Sequence, residues 1–176
     1  MKQLRGTPLK RFLRKLPPPP SPVELALVCQ SVAYPVNVGS VFRIADALNA
    51  TEVLLTGITP TPPHPKISKV GRDKDRRVPW RYFKQPEEAL EDLKALGYWI
   101  AALEVTDQCQ PYYAMDYPKK VALVLGNEDH GVTRASLARC DAAIFVPMYG
   151  KGRSLNVHVS LAIVGYHLLH RSSYRE

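Results

Sequence analysis

The sequence predicts an α/β protein with a mostly parallel sheet flanked by helices. Two observations carry that expectation. Apolar runs of strand length recur at 24–30, 52–57, 98–105, 120–126 and 142–148. Most are separated by stretches with helical spacing, which is how parallel strands covered on both faces are connected.

ELALVCQ (24–30) reads as a buried strand. Pro35 and Asn37 then open a helix whose core side carries Val41, Ile44, Ala45 and Leu48, with Arg43 roughly opposite Val41. EVLLTG (52–57) is the next strand, followed by the turn-rich TPTPPHP. PEEALEDLKALG (86–97) has Pro86 in its first turn, acids in its N-terminal half and Gly97 as its stop, so it predicts a helix. YWIAALEV (98–105), KVALVLG (120–126) and AAIFVPM (142–148) are three more strands, with TRASLARC (133–140) a short helix before the last. GRSLNVHVSLAIVGYHLLH (152–170) opens with strand-like alternation from Ser154 to Ser160 and continues from Leu161 as an apolar helix. In such sheets ligands sit beyond the carboxyl ends of the strands, here after Val105, Leu125 and Val146.

A chain of 176 residues is most simply one domain with a real core. The expected organisation is a basic, Pro-rich tail at 1–22, ending in the extended spacer PPPPSP, and one domain over 23–176. No apolar run reaches the roughly 18 residues that span a bilayer, and no signal-peptide core opens the chain. The expectation is therefore no membrane association. Cys29, Cys109 and Cys140 are widely spaced and odd in number, which argues against a disulfide framework and for a cytoplasmic setting.

The net charge of +8 is localised. Residues 1–22 carry Lys2, Arg5, Lys10, Arg11, Arg14 and Lys15 with no acid, and the eight basic side chains of 66–84 face only Asp73 and Asp75. The rest of the chain is net acidic. Two confined positive segments point to a polyanion, and aromatics among the bases of RDKDRRVPWRYFK (72–84) favour RNA, although those rings suit a core equally. The basic residues expected to meet RNA are Lys10, Arg11, Arg14 and Lys15 in the tail, with Arg72, Arg76 and Arg77 in the loop.

Three stretches hold candidate chemistry. In PVNVGSVFRIADALNA (35–50), Arg43 is free to reach a ligand, and Asn37 and Gly39 lie where helix-start amides favour anions; a surface Arg with an Asn cap is the plain alternative. In LGNEDHG (125–131), Gly126 lets backbone approach a ligand, and Gly131 suits a left-handed turn. Glu128, Asp129 and His130 are successive loop residues that do not converge on one ion, so no metal site is expected. MYGKGRS (148–154) lacks the spacing of an NTPase phosphate loop. His167 and His170 at a helix end suit the helix dipole without any metal.

Taken together, the motifs resemble the SpoU (TrmH-like) branch of the SPOUT RNA 2′-O-ribose methyltransferases. The first is N-x-G-x-x-x-R-x-A, present as Asn37, Gly39, Arg43 and Ala45. The second is G-x-E-x-x-G after a strand, present as Gly126, Glu128 and Gly131. The third is VPMYGKGRSLNV, from Val146 to Val157. The similarity runs from about residue 24 to 170.

The resemblance implies a C-terminal trefoil knot, S-adenosylmethionine as cofactor and a homodimer, with no metal. It places the cofactor against Leu103, Gly126, Val146, Met148 and Leu155, and gives catalytic roles to Arg43, Asn37, Glu128, Ser154 and Asn156. Ser154 and Asn156 would orient Arg43 or the ribose, while Leu155 and Val157 pack inward. Arg43 would stabilise the developing alkoxide of a ribose 2′-hydroxyl, since a guanidinium with pKa above roughly 12 is a poor proton acceptor. His158 replaces the serine common in the family and is expected to be a satisfied, partly buried imidazole. The implied substrate is tRNA, with the D-loop guanosine as the single preferred target. The alternatives are a ribosomal RNA enzyme of the same branch and a non-catalytic RNA-binding protein on the same scaffold.

Overall fold

The computed structural model describes residues 1–19 and 23–170. Residues 20–22, the end of the expected Pro-rich spacer and the boundary of the expected tail, lie outside the described residues. Seven strands form one sheet: β1 Glu24–Gln30, β2 Glu52–Thr56, β3 Trp80–Phe83, β4 Trp99–Leu103, β5 Gln110–Pro111, β6 Lys120–Leu125 and β7 Ala142–Phe145. Their order is β3-β2-β1-β6-β4-β7-β5, and every pairing is parallel.

Among the described residues the α-helices are α1 Gly6–Arg14, α2 Pro35–Leu48, α3 Pro65–Gly71, α4 Pro86–Ala95, α5 Arg134–Leu137 and α6 Val157–His170. Alternate residues of a strand serve opposite layers. Leu25, Leu27 and Cys29 of β1 pack with α2, α3 and α6, whereas Ala26 and Val28 pack with α4. Both faces of β1 are thus buried, which is why its sequence is continuously apolar.

Helix boundaries follow local chemistry. Pro35 and Pro86 occupy first turns, where a missing N–H costs nothing. α2 stops at Asn49 in the left-handed region, and the chain turns after α4 at Gly97 with φ +81°. Val41, Ala45 and Leu48 are buried and Ile44 packs beside them, while Arg43 is exposed on the opposite side.

The structure corrects several expectations. The strands expected at 98–105 and 142–148 end at Leu103 and Phe145. Beyond them the Glu104 carboxylate accepts a hydrogen bond from the Val105 N–H at 2.9 Å, and Pro147 has no ladder donor to offer. The alternation at 154–160 is not a strand: α6 begins at Val157, inside it. The short helix of 133–140 covers only Arg134–Leu137, capped by the Thr133 hydroxyl. Gly39 also serves packing, since a Cβ there would lie 2.7 Å from the Ile67 carbonyl oxygen of α3. The tail holds a nine-residue helix, α1, none of whose residues is buried.

Candidate active site

The carboxyl ends of β4, β6 and β7 open onto a crevice of about 730 Å³. Its walls come from three loops: 103–106 after β4, 126–132 after β6, and 144–157 leading from β7 into α6. Leu103, Gly126, Val146, Met148 and Leu155 all line it, as do Glu128, Ser154 and Asn156. Leu155 stays 36% exposed and so forms crevice wall rather than packing inward, whereas Val157 packs against the core. Among the described residues, the main chain from 147 to 155 makes no hydrogen bond. Because residues 148–155 are exposed, water satisfies these amides and carbonyls, and a ligand in the crevice could displace it.

One carboxylate ties this crevice to α2. Glu128 accepts from the Ala33 N–H at 2.8 Å, the Tyr34 N–H at 3.3 Å and the Asn37 side-chain amide at 2.7 Å. Because Asn37 Nδ2 must face the carboxylate, its Oδ1 faces the other way and accepts from Asn156 Nδ2 at 3.3 Å. His158 Nδ1 lies 3.2 Å from the same oxygen, so the proton belongs on Nδ1. Burial lowers the His158 pKa from the ordinary imidazole value, which keeps the ring neutral.

Asn156 also uses Oδ1 to accept from the His158 N–H at 3.2 Å, while its carbonyl accepts from Val159 and Ser160. It thus caps an otherwise apolar helix and reaches α2 at once. The polar start of this segment is a joint between two helices. Within one chain the side-chain partner of Asn156 is Asn37 rather than Arg43.

Two glycines let the 126–132 loop fold tightly. A Cβ on Gly126 would strike the main chain of Gly131 and Val132, so this glycine answers to its own loop as well as to the crevice. Gly131 adopts φ +67° and a Cβ there would collide with the Glu104 carboxylate. Glu104 went unrecognised in the sequence. Its carboxylate accepts from the N–H groups of Val105 and Val132, both at 2.9 Å, and pins two crevice loops together. The one hint was an acid near the end of an otherwise apolar strand-like run. Arg153, also unassigned by sequence, lines the crevice as well.

Arg43 is not brought to the crevice within one chain. It is exposed and has no ion pair or side-chain hydrogen bond among the described residues. It shares the outward face of α2 with Val36, Ser40 and Ala47. Of the expected RNA contacts, Lys10, Arg11, Arg14 and Lys15 are exposed on and just after α1, Arg72 and Arg77 are exposed after α3, and Arg76 faces Asp73 at 3.8 Å.

A parallel α/β sheet with a nucleotide-sized crevice at its strand ends defines an α/β protein that takes a small ligand in the usual place for such sheets. The SpoU rRNA Methylase family model matches residues 24–166, and the chain belongs to that family, the SpoU/TrmH branch of the SPOUT methyltransferases. It is 30% identical over 156 residues to the 23S rRNA (guanosine-2′-O-)-methyltransferase RlmB of Neisseria meningitidis, covering 89% of this chain and 60% of that one. It is 28% identical over 162 residues to the tRNA (guanosine(18)-2′-O)-methyltransferase of Thermus thermophilus, covering 92% and 80%. A solved structure described by 2-OH methylation of C/U34 on tRNA superimposes with TM-score 0.77 at 27% identity, covering 88% of this chain and 100% of that one.

Proposed function

We propose that this chain transfers a methyl group from S-adenosylmethionine to a ribose 2′-hydroxyl of RNA. The observation that carries the reading is the crevice itself, where the family's second and third motifs line one cavity and Glu128 and Asn156 tie it to the first motif through Asn37.

The residues present suit the cofactor. About 730 Å³ lies within the roughly 300–1,000 Å³ of small-molecule sites. Leu103, Val146, Met148 and Leu155 supply apolar walls for an adenine, and the unused main chain of 147–155 supplies its hydrogen-bonding groups. When bound, S-adenosylmethionine supplies an electrophilic methyl on its sulfonium. Gly126 would let the 126–132 loop close on it, and Ser154, which has no side-chain partner among the described residues, is free to meet a ribose.

The chain's own part in the reaction is electrostatic. Arg43 stabilises the alkoxide that develops as the 2′-hydroxyl attacks, and holds the adjacent phosphate. The proton leaves to a phosphate oxygen or water, because the guanidinium cannot take it. Glu128 and Asn37 hold the geometry. Tyr34, Val36, Val159 and Tyr166 expose apolar surface at the start of α2 and along α6. Pairing two copies across that surface brings Arg43, on the same face as Val36, to the seam between subunits; the working unit is a homodimer. The C-terminal segment forms a trefoil knot in this reading. It is supported by β7, which slots between β4 and β5 although both were laid down earlier in the chain. The domain so defined is 23–176, preceded by the basic tail of 1–22.

The substrate in this reading is tRNA, with the D-loop guanosine preferred, and the Thermus relative's name supports it. The second reading is ribosomal RNA, favoured by the name of the Neisseria relative, of whose length this chain spans only 60%. Lys10, Arg11, Arg14, Lys15, Arg72, Arg76 and Arg77 would neutralise phosphates in either case. Incubating the protein with methyl-labelled S-adenosylmethionine and separate tRNA and ribosomal RNA pools tests this. Label in a 2′-O-methylguanosine from tRNA is expected. Label only in ribosomal RNA supports the second reading, and none in any RNA leaves a non-catalytic RNA-binding scaffold.

A further inference from the structure

We propose that the pocket between the β2–α3 loop and β3 is a stacking subsite for an unpaired RNA base. It rests on the RNA reading above and adds to it a second contact, apart from the methyl-transfer crevice. The cavity measures about 370 Å³ and is lined by Gly57, Thr59, Pro60, Thr61, Trp80 and Tyr82.

Trp80 and Tyr82 are two residues apart on β3 and share one side of it, at the outer edge of the sheet. Trp80 also packs against the core, but Tyr82 remains 47% exposed. Its ring does not swing free: the hydroxyl donates to the Gly57 carbonyl oxygen at 2.9 Å. A half-open aromatic face held in place beside a proline is what base stacking requires, and stacking accepts any base because every base has a π-face. Arg81, between the two rings, is not available. Its guanidinium is held by Glu52 at 2.8 Å and Asp92 at 2.8 Å on the other side of the strand.

The charge on the neighbouring stretches of chain selects the occupant. Lys66, Lys69, Arg72, Arg77 and Lys84 are exposed and have no carboxylate partner among the described residues. The only acids from 57 to 84 are Asp73 and Asp75. Asp75 is buried and accepts from Ser68 at 2.9 Å, and Asp73 faces Arg76. Five free cations along α3 and as far as the residue after β3 match the phosphates of a strand, whereas one free nucleotide could engage few of them.

The test is equilibrium binding of the full chain to a single-stranded RNA carrying one 2-aminopurine, in wild type, Tyr82→Ala, Tyr82→Phe and Arg77→Ala proteins. Tyr82→Ala should weaken binding about tenfold or more and abolish quenching of the aminopurine, without changing the salt slope. Tyr82→Phe, which keeps the ring but loses the hydroxyl bond that holds it, should fall between wild type and Tyr82→Ala. Arg77→Ala should instead lower the salt slope by about 0.7, the loss of one phosphate contact on a single strand. The subsite is overturned if Tyr82→Ala binds like wild type. It is also overturned if Tyr82→Phe falls as far as Tyr82→Ala, or if guanosine monophosphate competes as well as the oligonucleotide does. A wild-type protein that methylates RNA yet shows no dependence on this ring removes the subsite alone. One that neither binds nor methylates RNA removes the functional reading with it.

Discussion

Replacing Glu128 by Gln should reverse the polarity of the hydrogen-bond chain that joins the crevice to α2. The carboxylate accepts three bonds, with Ala33 on one oxygen and Tyr34 and Asn37 on the other. Glutamine has one oxygen and one NH₂, so either orientation sets a donor against a donor. If the NH₂ faces Asn37, that amide must flip to accept, and its own NH₂ then points at the donors of Asn156 and His158. Charge-assisted bonds of about 1.5–3 kcal/mol become neutral ones near 1 kcal/mol, and a partly buried donor loses its partner. The summed cost is about 2–4 kcal/mol. Urea denaturation of both proteins measures it, and nitrogen chemical shifts of His158 report the tautomer. The expected result is a lower midpoint at unchanged slope, with the His158 proton moved from Nδ1 to Nε2. Stability within about 0.5 kcal/mol of wild type, with His158 unchanged, would refute the chain of inference from carboxylate to imidazole.

Arg43→Ala should abolish methyl transfer while leaving cofactor affinity and folding stability nearly intact, because this exposed side chain has no partner to lose; calorimetric titration with S-adenosylmethionine beside a transfer assay separates these effects. Lowering pH should cost stability through His158. Its folded pKa lies below the ordinary imidazole value of about 6.5, so below that pH the unfolded chain takes up a proton that the folded protein resists, until the folded ring also titrates. His158→Gln should flatten that acid-side loss in denaturation midpoints measured across pH 5 to 8, and an unchanged profile would place the titration elsewhere. Gly39→Ala should destabilise by about 1–3 kcal/mol through its clash with the Ile67 carbonyl, read as a lowered melting temperature. Deleting residues 1–16 should weaken RNA binding and flatten its salt dependence; an unchanged slope would mean that the tail meets no phosphate.

Elements with a strong periodic signal were legible in the sequence. Glu24–Gln30 was read to the residue, and α2 and α4 were placed by their prolines and core faces. Of the short elements, α5 and β7 were legible in part, but β3 and α3 were not. β3 is four residues in a basic stretch, and α3 buries only Ile67 and Gly71 in seven residues, too few to show a period. Segment 154–160 misled because capping residues imitate alternation: Asn156 and His158 are polar in order to join α6 to α2. The crevice was foreseen as a place, since the ends of parallel strands are where ligands bind, and its lining residues were picked out by family resemblance. What no sequence pattern carried was partner choice. That Asn156 meets Asn37 rather than Arg43 depends on contacts across 119 positions. Glu104 escaped for the same reason, as its bond to Val132 spans 28 positions.

The central claim is that S-adenosylmethionine lies at the carboxyl ends of β4, β6 and β7. Titrating the cofactor into isotope-labelled protein and following backbone amide shifts tests it most directly. The account predicts saturable shifts concentrated at 103–106, 126–132 and 146–157, lost when Gly126 is replaced by Val. Shifts centred instead on 57–61 and 80–82, or no saturable binding at millimolar cofactor, would contradict it.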